Sequence, residues 1–387
     1  MAQDLQNVLE RGVETVFPSK LAFEKALGSG KKLTIYNGID PTASSLHLGH
    51  LVVLKKLRQF QDLDHKIILL FGDFTAMIGD PSGKLQARKA QTRAQVLANV
   101  KDYKNQAAKI LNFSGKNPAE IRFNSAWLSK LSFEEIIQLA SHFTTQQLLE
   151  RDMFQKRVRA QKPIYLPELI YPLLQGYDSV AMKVDVEVGG SDQMFNMLVG
   201  RELVKKYLGK EKFVLTTKLL TVGEVKMGKT ESVFTPLSLP PSEMFGKIMA
   251  LPDDAMPSFF ELLTDLEPGN FENLLPLEAK KLLAKEILKQ LFAQSQVGAA
   301  QREFESVFQK RGTPTTMTVF KANDKTYSVV EVLAKSESVS SRSQAKRLVE
   351  QGAIEIDGKV VKSSQEKVGN REIVIKIGKR KFLKILP

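Results

Sequence analysis

The stretch "HKIILLFGD", residues 65–73, constrains the fold more than any other part of the chain. Its apolar residues run consecutively, with no polar partner at alternate positions. A strand of this kind has no face to give to water and must be covered on both sides. A Gly-Asp pair ends the run where a buried parallel strand would turn out of its sheet. Other segments repeat the pattern. "KKLTIYNG" ends in Asn-Gly, "IRFNSAW" is short and β-rich, and "MKVDVEVGGSDQ" runs into a glycine pair. Between them lie the helical stretches "TRAQVLANVKDYKNQAAKIL" and "DQMFNMLVGRELVKKYL". Strands alternating with helices of this length predict an α/β fold on a parallel sheet. Ligands of such sheets bind beyond the carboxyl ends of the strands, and the chain's suspicious residues gather there.

At 387 residues the chain is too long for one ordinary core, so two or three domains are expected. From about Pro240 to Gly312 the pattern turns helical, and "EAKKLLAKEILKQLFAQ" is amphipathic. "KRGTPTT" reads as a linker. From about Thr326 a small α+β unit follows: a basic helix "SSRSQAKRLVEQG" ended by Gly352, a hairpin "AIEIDGKVV" with an Asp-Gly turn, and two more strands in "EIVIKIGKRKFLKIL". Cysteine is absent, which excludes disulfides and cysteine zinc sites and suits a reducing cytoplasm. No apolar run approaches the roughly 18 residues of a membrane span. The start "MAQDLQNVLERGVETVF" has acids and no hydrophobic signal core, so secretion is not expected. The net charge of +13 suggests a polyanionic partner. Between Lys321 and Pro387 fifteen Lys or Arg face eight Asp or Glu, so the excess is concentrated in the last unit.

Five constellations could carry chemistry. His47 and His50, two of only four histidines, follow the turn "DPTASS" and open an apolar helical pattern. Three residues apart, they share a helix face, beside the free N–H groups and positive dipole end that favour an anion. Gly49 between them lets a ligand approach the backbone. Zinc would need a third ligand, and no HExxH is present. The plain alternative is a pair of surface histidines near a cap. "GDFTAMIGDPSGK", residues 72–84, looks like a P-loop but is one residue short between Gly79 and Gly83, with Leu85 in place of Ser or Thr. Asp80 could instead bind an ammonium group, or merely shape a turn. In "YPLLQGYDSV", Tyr171, Gln175 and Asp178 share one face of a helix among apolar neighbours. Such a stripe meets a ligand, a buried polar partner or water, and Pro172 predicts a helix start or kink. In "VGGSDQ", Gly190 admits a nucleotide and Asp192 suits ribose hydroxyls. In "EVKMGKT", Lys226 and Lys229 could clamp phosphates or form a solvated loop.

In their order, these motifs resemble a known family. "HLGH" early and "KMGKT" late are similar to the two signatures of class I aminoacyl-tRNA synthetases. "YNGIDPTASSLHLGH", "IGDPSGK", "YPLLQGYDSV" and "VGGSDQMFN" resemble the tyrosyl branch in its bacterial form, and "SRSQAKRLVEQGAIEIDGKVV" resembles an S4-type RNA-binding domain. The resemblance spans nearly the whole chain. It implies a Rossmann-type parallel-sheet catalytic domain over residues 1–235 with an inserted dimer-interface segment. An α-helical anticodon-binding domain over 236–318 and an S4-like domain over 326–387 would follow. It implies that L-tyrosine and ATP, which carries Mg2+, give tyrosyl-adenylate and pyrophosphate, and that tyrosyl then passes to the 3′ end of tRNA(Tyr). No metal would be held by the protein itself, and the enzyme would be a cytoplasmic homodimer away from membranes.

The same resemblance assigns roles. His47 and His50 would stabilise the α-phosphate of ATP, and Lys226, Lys229 and Thr230 the pyrophosphate. Tyr36 and Asp178 would bind the phenolic hydroxyl. Asp80, Tyr171 and Gln175 would hold the ammonium group, Gln193 would orient the substrate, and Asn124 would support the pocket. Gly38, Asp40, Thr42, Gly49, Gly190 and Asp192 would line the nucleotide site. Arg342, Lys346 and Arg347, on one basic helix, would meet tRNA phosphate. Three departures stand out: Leu48 replaces the general isoleucine, Gly228 the general serine, and Asn37 the cysteine of some relatives. The rival readings are a tryptophanyl synthetase, another nucleotidyltransferase with an HxGH signature, and a non-catalytic RNA-binding relative.

Overall fold

The computed structural model describes residues 2–82, 91–223, 225–227, 234–306, 317–323, 325–336, 338–339, 341–368, 371–378 and 381–387. The chain forms two compact units, Met1–Val297 and Gly298–Pro387.

The first unit is built on a six-stranded sheet of β1 (Val13–Phe17), β2 (Thr34–Ile39), β3 (Lys66–Phe71), β4 (Glu120–Phe123), β5 (Val186–Gly190) and β6 (Phe213–Thr217). Their spatial order is β1-β6-β5-β2-β3-β4. Five strands are parallel, and β1 closes one edge antiparallel to β6. Ile67 to Phe71 of β3 are all buried, as a strand covered on both faces requires. The Leu48–Asp62 helix packs on β2, β3 and β5. The Leu166–Ala181 and Met194–Leu208 helices pack along one another. They approach closely because of two glycines. A Cβ on Gly176 would fall 2.8 Å from Leu203 and 3.1 Å from the amide of Gly200.

Two local expectations change. "TRAQVLANVKDYKNQAAKIL" is not one helix but two, Arg93–Val100 and Tyr103–Ala107. The break falls at Asp102, the residue before the second helix, whose carboxylate accepts from the side-chain amides of Asn105 and Gln106 on that helix's own face. β1 was not expected at all, because "VETVF" is short and carries an acid. The helical stretch expected from about Pro240 is present as far as the described residues run, to residue 306. Helices Pro241–Met249, Met256–Leu263 and Pro276–Lys289 pack together, and Met256–Leu263 also rests on Leu48–Asp62.

In the second unit, strands Thr318–Lys321, Ile354–Ile356, Lys359–Val360, Ile373–Ile377 and Lys381–Leu386 form one sheet. The Ile354–Ile356/Lys359–Val360 hairpin turns on Asp357 and Gly358, at φ 47° and 80°, as a two-residue turn matched to strand twist requires. Ala345 and Val349 of the Arg342–Glu350 helix face a core that includes Leu333, Ile354, Ile375 and Leu383. Residues 310–316, the expected linker, lie outside the described residues.

Candidate active site

From β2 the sheet grows outward in both directions, through β3 and β4 on one side and through β5 and β6 on the other. The strand order therefore reverses between β2 and β5, which opens a crevice at their carboxyl ends. Segments far apart in sequence deliver polar side chains to it.

One end of the crevice is buried. Tyr36, on β2, is fully buried, and its Oη lies 2.7 Å from Ser179 Oγ. Asp178 is 3 % exposed. Its carboxylate accepts the indole N–H of Trp127 at 2.7 Å and the amide of Asn124 at 3.2 Å. Burial pushes the Asp178 pKa well up, while these two donors favour the charged form. Burial also raises the pKa of the Tyr36 and Tyr171 hydroxyls well above the usual range, with Glu187 and Asp40 respectively the next largest causes. The Tyr171, Gln175 and Asp178 stripe thus faces the protein interior and not water. Pro172 lies inside the helix, not at its start.

Next to it stand acceptors for a cation. Tyr171 donates its proton to Asp40 Oδ2 at 2.9 Å, so its oxygen keeps lone pairs. Asn196, fully buried, donates to Gln175 Oε1 at 3.0 Å and Gln193 Oε1 at 3.1 Å. Asp80 accepts from Gln193 Nε2 at 2.7 Å and from the Ser82 amide at 3.0 Å. Asp40 also accepts from Thr75 Oγ1 at 2.7 Å, which only a bare backbone at Gly72 permits: a Cβ there would lie 2.1 Å from Asp40.

The opposite end is more open. His47 is the N-cap of the Leu48–Asp62 helix. Its Nδ1 accepts from the Gly49 amide at 3.1 Å, and His50 Nδ1 accepts from the His47 amide at 3.1 Å. The two rings lie 3.9 Å apart. With Nδ1 as acceptor, a neutral imidazole carries its proton on Nε2, so both rings are set as Nε2–H donors at a helix N-terminus. Gly49 suits this packing, because a Cβ would fall 2.9 Å from the His47 ring; it would also touch the carbonyl of Met227 at 3.5 Å. That contact joins the "HLGH" and "KMGKT" segments in space. Beside it Lys226 pairs with Asp192 at 2.5 Å. Gly38 is exposed at the end of β2, the Thr42 amide bonds the Asp40 carbonyl at 2.8 Å, and a Cβ on Gly190 would crowd Asp192 at 2.7 Å. Lys229 and Thr230 lie outside the described residues.

Sequence reasoning missed Trp127, Ser179, Glu187, Asn196 and Lys212. The one signal available was Trp127, the chain's sole tryptophan, three residues after Asn124. Among the described residues no group of three or more His, Asp or Glu could hold a metal ion, and no helix is long and apolar enough to cross a membrane. In the second unit Arg342, Lys346 and Arg347 are all exposed on one helix, with Arg342 3.8 Å from Glu331.

The family model described as tRNA synthetases class I (W and Y) matches residues 29–309, and that of the S4 domain matches residues 329–374. The chain is 40% identical to a tyrosine–tRNA ligase of Aquifex aeolicus over 99% of its own length and 98% of that protein. It is 44% identical to tyrosine–tRNA ligase 2 of Vibrio vulnificus, over 97% of each. Its fold is similar to that of a C-terminally truncated mitochondrial tyrosyl-tRNA synthetase of Aspergillus nidulans. There the TM-score is 0.67 at 22% identity, covering 79% of this chain and 94% of that one. A domain match over most of its length and relatives aligned from end to end place the chain in the tyrosine–tRNA ligase family of class I aminoacyl-tRNA synthetases.

Proposed function

We propose that the crevice between β2 and β5 is where this ligase joins L-tyrosine to ATP, ahead of transfer to the 3′ end of tRNA(Tyr). The observation that carries this reading is the convergence of β2, the Leu48–Asp62 helix, the Leu166–Ala181 helix and the 226–227 segment on one strand-order reversal. An ammonium group can only donate. Asp80, the Tyr171 oxygen and Gln175 Oε1 supply acceptors for it, and Gln193 orients the substrate beside them. Asp178 takes the phenolic proton, and Tyr36 faces the phenolic oxygen. Phenylalanine would offer no proton to Asp178 and no oxygen to Tyr36, so each would lose the bond that tyrosine supplies, a basis for rejection.

At the open end a substrate carboxylate oxygen bonds to the α-phosphorus of ATP as the bond to pyrophosphate breaks. His47 and His50, as Nε2–H donors, meet charge on the α-phosphate, where fixed donors act best. Lys226 exchanges Asp192 for the departing pyrophosphate, aided by Lys229 and Thr230, and Mg2+ arrives with ATP as part of the substrate. Gly38, Asp40, Thr42, Gly49, Gly190 and Asp192 line the nucleotide. No side chain is acylated. Positioning and charge stabilisation supply the rate.

The assignment of tRNA to the second unit rests on the exposed Arg342, Lys346 and Arg347. Neutralising all three should weaken tRNA binding and flatten its salt dependence by about two to three in log–log slope; an unchanged slope would remove the assignment. We read residues 1–235, 236–318 and 326–387 as catalytic, anticodon-binding and S4-like parts. A homodimer through the 1–235 insert is supported by the exposed apolar Phe133, Ile137, Tyr165 and Leu166; a cytoplasmic location follows from the family reading alone.

The test is ATP–pyrophosphate exchange with tyrosine, tryptophan or no amino acid, on the wild type and Asp178→Ala. Exchange with tyrosine alone, reduced about 10²-fold or more in kcat/KM by the substitution, is expected. Exchange driven by tryptophan would keep the chemistry and overturn the substrate.

A further inference from the structure

Behind the pocket lies a polar network to which the proposed reaction gives no part of its own; it meets the pocket where Gln175 Nε2 donates to Glu187 Oε1 at 3.3 Å. Lys212, at the foot of β6, is fully buried, and Glu187, on β5, is 2 % exposed. The Lys212 ammonium has three protons and three acceptors: Ser179 Oγ at 2.8 Å, the carbonyl of Met197 at 3.3 Å, and Glu187 Oε2 in a close ion pair. The space for it is made by Gly200, where a Cβ would fall 2.6 Å from Lys212 Nζ and 3.0 Å from Ser179 Oγ. A buried ion pair is no more stabilising, as a rule, than apolar side chains of the same volume, so packing alone does not account for it.

The distances give it a direction. Ser179 Oγ accepts from Lys212, so its own proton must go elsewhere. Two oxygens are in range, Tyr36 Oη at 2.7 Å and Glu187 Oε2 at 3.4 Å. The first is the ordinary length of an O–H···O bond and the second lies outside it. A Tyr36 hydroxyl that accepts from Ser179 keeps its own proton; Glu187 is within its reach in the empty pocket, and a phenolic oxygen in the crevice would compete for that proton. A phenol that gives its proton to Asp178 has an oxygen that needs a donor. The opposite case sits nearby: Tyr171 spends its proton on Asp40 and presents only lone pairs, which suits an ammonium.

We propose that Lys212 is a positioning residue for substrate specificity, which through Ser179 fixes Tyr36 as a hydrogen-bond donor to the substrate's phenolic oxygen. The chain of donors runs Lys212, Ser179, Tyr36, substrate hydroxyl, Asp178, from a buried cation to a buried carboxylate. Lys212 Nζ also lies 5.8 Å from the centre of the Tyr36 ring, close enough to hold that ring electrostatically. The inference rests on the pocket proposed above.

The experiment is pyrophosphate exchange with tyrosine and with phenylalanine on the full-length protein. Four variants are compared: Tyr36→Phe, Ser179→Ala, their double, and Lys212→Met combined with Glu187→Gln. Ser179→Ala keeps the ion pair, and the Lys212→Met/Glu187→Gln pair removes both charges together, so neither strands a buried ion. Each is expected to raise the tyrosine KM and to lower the tyrosine-over-phenylalanine ratio about tenfold, with the KM for ATP held. Ser179→Ala is expected to add nothing in the Tyr36→Phe background, a coupling that looser packing would not produce. If Tyr36→Phe lowers the ratio while Ser179→Ala and the Lys212/Glu187 double leave it at the wild-type value, the relay is wrong and the pocket stands. If Tyr36→Phe itself leaves the ratio unchanged, the pocket reading fails and takes the relay with it.

Discussion

Two lysine–carboxylate pairs stand at the two ends of one crevice, and burial alone separates their physics. In the Lys212–Glu187 pair the side chains are 0% and 3% exposed; in Lys226–Asp192 they are 48% and 20%. The first has every ammonium proton placed by protein acceptors and cannot rearrange without leaving a buried charge. The second is held in water, where such a pair is worth about 0–1 kcal/mol, and can trade its carboxylate for another anion. Recognition of a neutral hydroxyl needs fixed partners of known polarity. Handling a departing polyanion needs a cation that can move.

The largest effect that would break this comparison is on folding. Glu187→Ala should cost about 3–5 kcal/mol, because it strands the Lys212 cation, read as a lowered chemical-denaturation midpoint. A loss below about 1 kcal/mol would mean that water or another acceptor reaches Lys212, and the contrast would collapse. Next, Trp127→Phe removes one of two N–H donors from Asp178 and should cost about 1–3 kcal/mol of tyrosine affinity. The sign of its pH effect follows from the donor's role. The Trp127 bond lowers the Asp178 pKa, so its loss raises that pKa, and the acid limb of kcat/KM for tyrosine should move to higher pH. An unmoved limb would show that Asp178 does not govern it. Smallest, Asp192→Asn should change folding stability by no more than about 0.5 kcal/mol, although it sits on a pair of the same chemistry; a change above 2 kcal/mol would erase the distinction.

What the sequence disclosed follows the same division. The apolar run of β3, the glycine-ended β5 and the i, i+4, i+7 stripe of Tyr171, Gln175 and Asp178 are local patterns, and each appears in the fold as a strand, a strand end and a buried face. His47 and His50 were legible for the same reason, since both belong to one helix start. Lys212 was not, because "GKEKF" has the composition of a solvated turn and its burial is decided by Gly200 and by strand pairing. Glu187 sits in "VDVEV", which reads as an alternating strand with a wet face; the Met194–Leu208 helix packs on that strand, and Gln175 and Ser179 of the Leu166–Ala181 helix reach Glu187 itself. Asn196 and Ser179 are polar residues in helices, where position in space and not spacing in sequence gives them a role. The break at Asp102 and the added β1 were hidden by competition between local and tertiary preferences.

The antiparallel strand β1 has a consequence for anyone shortening the protein. It is the sole cover of the β6 edge, with Val13 to Phe17 paired to Thr217 to Val214. Without it, a row of unpaired amide and carbonyl groups on β6 would become a template for strands of other molecules, and aggregation should follow. The same strand begins one residue after Lys212. A trimmed amino end would therefore loosen the floor of the proposed tyrosine pocket from the far side of the sheet, so that a small deletion chosen for solubility would reduce solubility and, with the pocket as proposed, fidelity.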